Sequence, residues 1–154
     1  MQSDNPLIEV ITSSTDSDVL AIIVGRGSGD TGINFVTEHS MTHQLALLNW
    51  PRGHQIVAHV HNAVKREIHS TQEILFVRSG QVRVDLYRND KSYECSRELG
   101  EGEVILLVSG GHGFEMLEDS DIVEIKQGPD LGEEEKTRFI PSDNPHWKNP
   151  HEEE

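Results

Sequence analysis

The sequence lacks several features that define whole classes of protein. Its 154 residues contain one cysteine, Cys95, so no disulfide can form within the chain, and a reducing compartment, the cytoplasm, is the expected location. The longest apolar stretches, at residues 19–24 and 104–108, are far shorter than the ~20 residues that span a bilayer. The first ten residues, MQSDNPLIEV, have neither the basic start nor the apolar core of a secretory signal. We therefore expect no membrane partner.

Positive charge is also scarce. Thirteen Lys and Arg stand against twenty-seven Asp and Glu, which gives a formal net charge of −14. Phosphate-rich partners are bound by clustered basic side chains, so this balance argues against nucleic acid and against an anionic membrane surface. The length of the chain predicts one domain of ordinary size with a real core.

Short β-type segments recur along the chain, with turn residues between them and almost no helical periodicity. The predicted strands are residues 19–24, 44–50, 55–61, 73–77, 81–87, 92–96, 103–108, 114–117 and 122–125. The segment 81–87 alternates strictly, with Val82, Val84 and Leu86 on one face and Arg83 and Asp85 on the other. Strands of this number and spacing predict an all-β fold, an antiparallel sandwich or barrel.

The end of the chain has a different character. Residues 127–154 hold four of the six prolines and two runs of three glutamates, at 133–135 and 152–154. We expect residues 1–126 to form a single β-domain and residues 127–154 to form an acidic extension, either a strap over the domain or a partly disordered tail. Phe139 and Trp147 favour a strap that docks in part.

Histidines cluster in the middle of the chain. Four of the nine, His54, His59, His61 and His69, fall within sixteen residues. His59 and His61 lie two apart on a predicted strand, so their side chains leave the same face, about 6–7 Å apart at the backbone, and can bind one metal ion. His54 has the opposite parity and is not expected to be a ligand. The other histidines are expected to be surface residues: His39, His43, His146 and His151.

The spacing around the histidine pair matches a known pattern. Gly53 is followed after five residues by His59-Val60-His61, and Glu73 is followed after six residues by Gly80. This arrangement resembles the first motif of the cupin superfamily, G-x5-H-x-H-x3,4-E-x6-G. The link from His61 to Glu73 is eleven residues here, where the family has three or four.

A second segment, GEVILLVSGGHGF from Gly102, resembles the second cupin motif, G-x5-P-x-G-x2-H-x3-N. Val108 replaces the proline, His112 arrives one residue early, and the final Asn is absent. The resemblance implies a cupin-type double-stranded β-helix, that is, a jelly-roll barrel. It also implies a divalent metal inside the barrel, with these ligands: His59, His61, Glu73 and His112.

The long link leaves two arrangements open. If residues 62–72 form a loop, Glu73 lies across from the histidine pair and binds the metal, which the Glu73-to-Gly80 spacing favours. If a hairpin closes near residues 62–66, Glu67 and His69 lie opposite the pair and become ligands. In either arrangement Glu67 and His69 face the cavity, and they are our candidates for catalytic proton transfer. Lys65 and Arg66 form either an exposed hairpin tip or a clamp for a carboxylate or phosphate group.

A site of three histidines and one carboxylate leaves two coordination positions open and suits Fe, Mn, Ni or Zn. Segments 64–80 and 104–128 resemble small bacterial cupins linked to surface-polysaccharide synthesis. The resemblance therefore implies a metal-dependent enzyme, of isomerase or dioxygenase type, acting on a small polar molecule such as a sugar derivative. Two alternatives remain: a non-catalytic cupin that binds a small ligand, and a metal-free epimerase-type barrel with His69 as base and Tyr87 as acid.

The face of the predicted strand opposite the histidines is apolar. It carries Ile56, Ala58 and Val60, which need to be covered. Either the N-terminal strands or a second subunit can cover them, and we expect a homodimer.

Overall fold

The structure, a computed structural model, describes residues 7–27 and 29–148. Within them, all regular structure is β except one short 3-10 helix at Gly132–Glu135. The strands are β1 (Ile8–Thr12), β2 (Val19–Val24), β3 (Gly32–Phe35), β4 (Ala46–Asn49), β5 (Glu73–Ser79), β6 (Gln81–Tyr87), β7 (Tyr93–Gly100), β8 (Val104–Leu107), β9 (Gly111–Met116) and β10 (Asp121–Lys126). The all-β prediction is confirmed. Across these residues, no helix is both long enough and apolar enough to cross a bilayer.

The strands form three antiparallel sheets. The largest has the order β1-β2-β8-β5-β10, a second has the order β7-β6-β9, and β3 and β4 form a two-stranded ribbon. The first two sheets face each other across the main core. There Val84 and Leu86 of β6 join Leu75 and Val77 of β5 and Ile105 of β8. The alternation in residues 81–87 therefore predicts the buried face correctly.

A smaller core lies on the other side of the large sheet. Ile22 and Leu106 are fully buried there, and Leu45 and Leu47, in and just before β4, pack against them. Strand β2 is thus covered on both faces. Burial on both sides explains why its sequence, VLAIIV, is apolar throughout rather than alternating.

One side of the sandwich is tied together and the other is open. Arg97 of β7 donates to Glu9 of β1 across 2.8 Å, which links the two sheets along that side. On the opposite side, β9 and β10 are the last strands of their sheets. Phe114 and Met116 share the inward face of β9 because they pair with Val84 and Val82, yet they are 40% and 51% exposed.

Residues 51–71, here called the arm, differ from the prediction. All of them are exposed, and none lies in a strand or helix. The strand predicted at residues 55–61 is therefore wrong for the isolated chain, because no neighbouring strand pairs with it. Large apolar side chains remain in solvent along the arm: Ile56, Val57, Val60, Val64 and Ile68.

Residues 127–148, here called the strap, cover the outer face of β6. The ring of Phe139 meets the ring of Tyr87 edge-on at 5.1 Å, and buried Asn144 donates from Nδ2 to Tyr87 Oη across 2.7 Å. The amide of Tyr93 donates to Asp143. The expected docking of Phe139 is confirmed, and residues 149–154 of the extension lie outside the described residues.

Ile105→Ala should lower the free energy of unfolding by about 3 kcal/mol, because it removes buried methyl groups and leaves a cavity. Ile105 is fully buried in the main core. The matched control is Ile140→Ala, at a side chain that is 78% exposed, where the change should stay below about 0.5 kcal/mol. Urea unfolding followed by circular dichroism measures both. Equal losses in the two variants would contradict the placement of the core.

Candidate functional site

A cleft of about 1380 Å³ lies beside the start of β9. Its walls come from β5, β6, β9, the strap and the last four residues of the arm, 68–71. A glycine-rich run, Gly110-Gly111-His112-Gly113, leads into β9, and an added Cβ at Gly110 would lie 2.2 Å from the Tyr87 carbonyl oxygen. The glycines of this run have no side chains, so β9 can pass close to β6. His112 supplies the side chain of the run.

Glu73 and His112 meet at the mouth of the sandwich. Glu73 begins β5 on the same face as the core residue Leu75, and His112 pairs with inward-facing Leu86. Their closest atoms, Glu73 Oε2 and His112 Nε2, are 3.1 Å apart. Glu73 is buried, and the hydrogen bond from His112 holds the pKa of its carboxyl below the usual range. Two residues 39 positions apart in sequence thus share one polar contact.

The residue before Glu73 fixes its position. Gln72 is buried, and its Oε1 accepts hydrogen bonds from Thr42 Oγ1 at 2.8 Å and from the amide of His43 at 3.2 Å. Its own amide donates to Gln127 Oε1 at 2.8 Å. Within the described residues, Gln127 Nε2 is buried without a hydrogen-bond partner. Glu73 is therefore anchored to the strap and to the segment before β4, and the cleft wall holds an unused donor.

The other two predicted ligands do not reach this contact. His59 and His61 lie on the exposed arm, with their rings 5.3 Å apart and edge-on, and His59 Nδ1 lies 2.9 Å from the Val57 carbonyl. Among residues 7–27 and 29–148, no three His, Cys, Asp or Glu side chains converge closely enough to hold a metal ion. The four predicted ligands thus fall into two separate pairs.

The alternative ligands also lie on the arm. His69 Nε2 and Glu67 Oε1 are 3.5 Å apart and both side chains are largely exposed, although His69 lines the cleft. The tight hairpin that would place them opposite His59 and His61 is not formed, since the arm has no strand. Lys65 and Arg66 are exposed, and His54 stacks on Trp50 at 3.8 Å.

Two of the remaining histidines differ from a simple surface position. His43 is half-buried, and its Nε2 is buried without a partner in the part of the chain described. Its assignment as a surface residue is wrong, because the segment before β4 folds over the large sheet. His146 is exposed as expected but lines the cleft from the strap. His39 is exposed, and His151 lies outside the described residues.

A buried ion-pair network on the outer face of β6 was not assigned a role from the sequence. Arg83 Nε donates to Asp85 Oδ1 at 2.8 Å, and Arg83 Nη1 lies 2.7 Å from Glu115 Oε2. Ser96 Oγ donates to Asp85 at 2.5 Å and is 2.9 Å from Tyr93 Oη. The signal was present in the parity of residues 81–87, which puts the charged face opposite the core. What the parity does not show is that the strap covers that face.

The environment of this network sets the charge of its members. Burial on its own would raise the pKa of Asp85, but hydrogen bonds from Arg83, Ser96 and Asn144 outweigh it and lower the pKa below the usual range. Burial raises the pKa of Tyr87, which stays a neutral phenol. Both groups line the cleft, so one wall presents a fixed carboxylate beside a protonated hydroxyl.

Comparisons with protein-family models, with curated proteins and with solved structures found no match to this chain. Its functional assignment therefore rests on its own residues.

Asp85→Asn should lower the free energy of unfolding by about 2–3 kcal/mol, because charged hydrogen bonds to a buried carboxylate are lost. Glu115→Gln is the matched control: it removes the other partner of Arg83, at a carboxylate that is 44% exposed, and should cost less than about 1 kcal/mol. Denaturant unfolding at neutral pH measures both variants. A larger loss in Glu115→Gln than in Asp85→Asn would contradict the network as described.

The stabilisation by Asp85 should disappear in acid. Its folded-state pKa lies below that of the unfolded chain, so the ionised form favours folding above an unfolded pKa of about 3.9. The stabilisation is lost as pH falls through the lower folded-state value. The difference in unfolding free energy between wild type and Asp85→Asn should therefore be constant near neutral pH and shrink below about pH 4. A difference that grows in acid would show that the sign is wrong.

Proposed function

We propose that the protein is a small cupin-type metal-binding protein whose site is built on Glu73 and His112. The observation that carries the proposal is their 3.1 Å contact at the mouth of the sandwich. One residue comes from each cupin-like motif and one from each facing sheet. Glu73 pairs with Leu107 of β8, five residues before His112, so the strand pairing brings the two motifs together at this contact.

The arrangement of the strands supports the same proposal. From β5 to β10 the chain passes between the two facing sheets, with β5, β8 and β10 in the large sheet and β6, β7 and β9 in the other. Such alternation is expected of a jelly roll, in which hairpins wrap around a common core. The open side between β9 and β10 is the place where a closed cupin barrel would need one more strand.

The donor atoms fit a divalent transition metal. A carboxylate oxygen and an imidazole nitrogen suit Fe, Mn, Ni or Zn, and a metal bound there would polarise a substrate carbonyl or enediol as a Lewis acid. Two protein ligands are fewer than the three or four that usually hold such an ion. His59 and His61 would supply the others, as the first motif implies.

The cleft favours a small polar substrate such as a sugar derivative. Trp147 and Phe114 present aromatic surface to it, Lys136 and Lys148 supply positive charge, and Asp85 offers a carboxylate. A cleft with apolar faces and a few charged groups is typical of sites for small polar molecules. The class of reaction we propose is isomerisation or dioxygenation.

Residues near the end of the arm would transfer protons in this cleft. His69 lines the cleft, and Glu67 lies 3.5 Å from its Nε2. A carboxylate beside an imidazole can orient the ring, which suits general acid–base chemistry.

Protein purified without chelator should contain a transition metal, and His112→Ala and Glu73→Gln should each weaken its binding more than about tenfold, because each removes a ligand. His39→Ala is the matched control, an exposed histidine outside the cleft that should leave metal content unchanged. Elemental analysis gives the metal, and calorimetric titration of the apoprotein with Mn, Ni and Zn gives the affinities. Equal affinity in wild type and His112→Ala would overturn the site.

The same measurement separates the alternatives. Wild-type protein that binds no metal would favour the metal-free barrel, in which His69 and Tyr87, both lining the cleft, act as base and acid. A bound metal that takes up no water or added ligand would favour a non-catalytic binding module, because an enzyme needs an open coordination position.

A further inference from the structure

The arm is built like a strand but has no neighbour. Between residues 55 and 61 its sequence is QIVAHVH, and Val57 and Val60 are 83% and 87% exposed. Its polar contacts include local ones, such as His59 with Val57 and His69 with Glu67. A run of apolar side chains and unpaired backbone groups left in water is unfavourable and marks a surface that binds something.

Strand β9 has one edge that no strand of the described residues pairs with. It pairs with β6 on one side and is the last strand of its sheet on the other. Its inward residues Phe114 and Met116 are exposed, although their partners on β6 are fully buried. The cleft runs beside this edge. One added strand along β9 would pair the edge, cover both side chains and extend the sheet.

Charge favours a match between these two features. The arm contains Arg52, Lys65, Arg66 and one acid, Glu67, which gives it a net charge of +2. The rest of the chain has ten basic and twenty-six acidic residues and a net charge of −16. The turn between β9 and β10 carries Glu118 and Asp119, and Asp121 at the start of β10 lies 3.4 Å from Arg78. The positive arm of one copy and the negative body of another therefore attract each other at low ionic strength.

The two ends of the arm are fixed in the body of the same chain. At one end, β4 is paired with β3, and Trp50 stacks on His54. At the other, Gln72 is held by hydrogen bonds to Thr42, His43 and Gln127. Between these anchors the arm is exposed, with only its last residues, 68–71, lining the cleft, and within the described residues no strand pairs with its own chain's β9 edge. A second copy offers the same open edge, and two copies that exchange arms close a two-fold pair.

We propose that the arm of one copy lies along β9 of a second copy as an added strand, and that its His59 and His61 complete the site formed by Glu73 and His112 of that copy. The docking stands on the exposed arm, the open edge and the charge match. The part that concerns metal rests on the proposed function. Each pair of chains would then contain two equivalent sites, and neither would be complete in a single chain.

Docking is tested by oligomeric state, in chelator so that metal plays no part. Wild type should be a dimer by light scattering after gel filtration, and Val57→Asp should be a monomer, because Val57 shares the strand face of His59 and His61 and would lie against Phe114 and Met116. The matched control, Ile140→Asp, changes an apolar side chain on the strap that is 78% exposed, against 83% for Val57, and should remain a dimer. Far-ultraviolet circular dichroism checks that each variant folds. A dimer that survives Val57→Asp, or a monomeric wild type, overturns the docking.

Exchange of ligands is tested with mixed dimers. One copy carries His59→Ala/His61→Ala and the other carries His112→Ala, with different affinity tags, and the heterodimer is purified on both tags after joint refolding. If sites form between copies, one of the two sites in the heterodimer is intact and holds about half the metal of wild type. If sites form within one chain, neither is intact and the metal content falls to that of the two single-type dimers.

These outcomes separate the two proposals. A dimer sensitive to Val57→Asp that binds no metal would leave the arm exchange standing and overturn the proposed function. A metal-binding wild type whose heterodimer is empty would retain the metal site and overturn the exchange.

Discussion

A single hydrogen-bonded pair, Glu73 and His112, joins the two facing sheets where their inner faces separate. Behind it lies a dry core of aliphatic side chains, and in front of it lies the cleft. A buried carboxylate is costly unless it is hydrogen-bonded, and His112 supplies that bond. Gln72 holds the backbone beside it. The pair therefore marks the boundary between the part of the sandwich that stabilises the fold and the part available for chemistry.

The strap covers the outer face of β6, and the polar residues of that face form a second wall of the cleft. Arg83, Asp85 and Tyr87 would be ordinary surface residues if β6 faced solvent. Asn144 and Phe139 cover them, and the ion pair between Arg83 and Asp85 is buried as a result. A buried charge needs its full set of partners, so the position of the strap and the protonation states in the cleft depend on each other.

The sequence predicts this fold best where local pattern and tertiary environment agree. Residues 19–24 and 81–87 are predicted with the same bounds as β2 and β6. The continuous apolar pattern of residues 19–24 matches a strand buried on both faces, and the alternating pattern of residues 81–87 matches a strand with one face in the main core. Strands β1 and β3 were not predicted, since short polar-flanked segments become strands only when β2 and β4 pair with them. Residues 55–61 have a strand pattern but no partner. Strand pairing depends on residues far away in sequence, and the periodicity of a segment carries no information about them. For the same reason motif spacing identifies Glu73 and His112 as neighbours but misses the wall formed by Asp85.

An exchanged arm would couple metal binding to assembly. If two ligands come from each copy, the ion binds the dimer more tightly than the monomer, and by linkage it must stabilise the dimer by the same free energy. Apparent metal affinity would then rise with protein concentration, which does not happen for a site made within one chain. The eleven-residue link between His61 and Glu73, long for the cupin pattern, has a physical role in this arrangement. It gives the arm the length to leave one body and reach the edge of another, whereas a three-residue link would hold the histidine pair on its own chain.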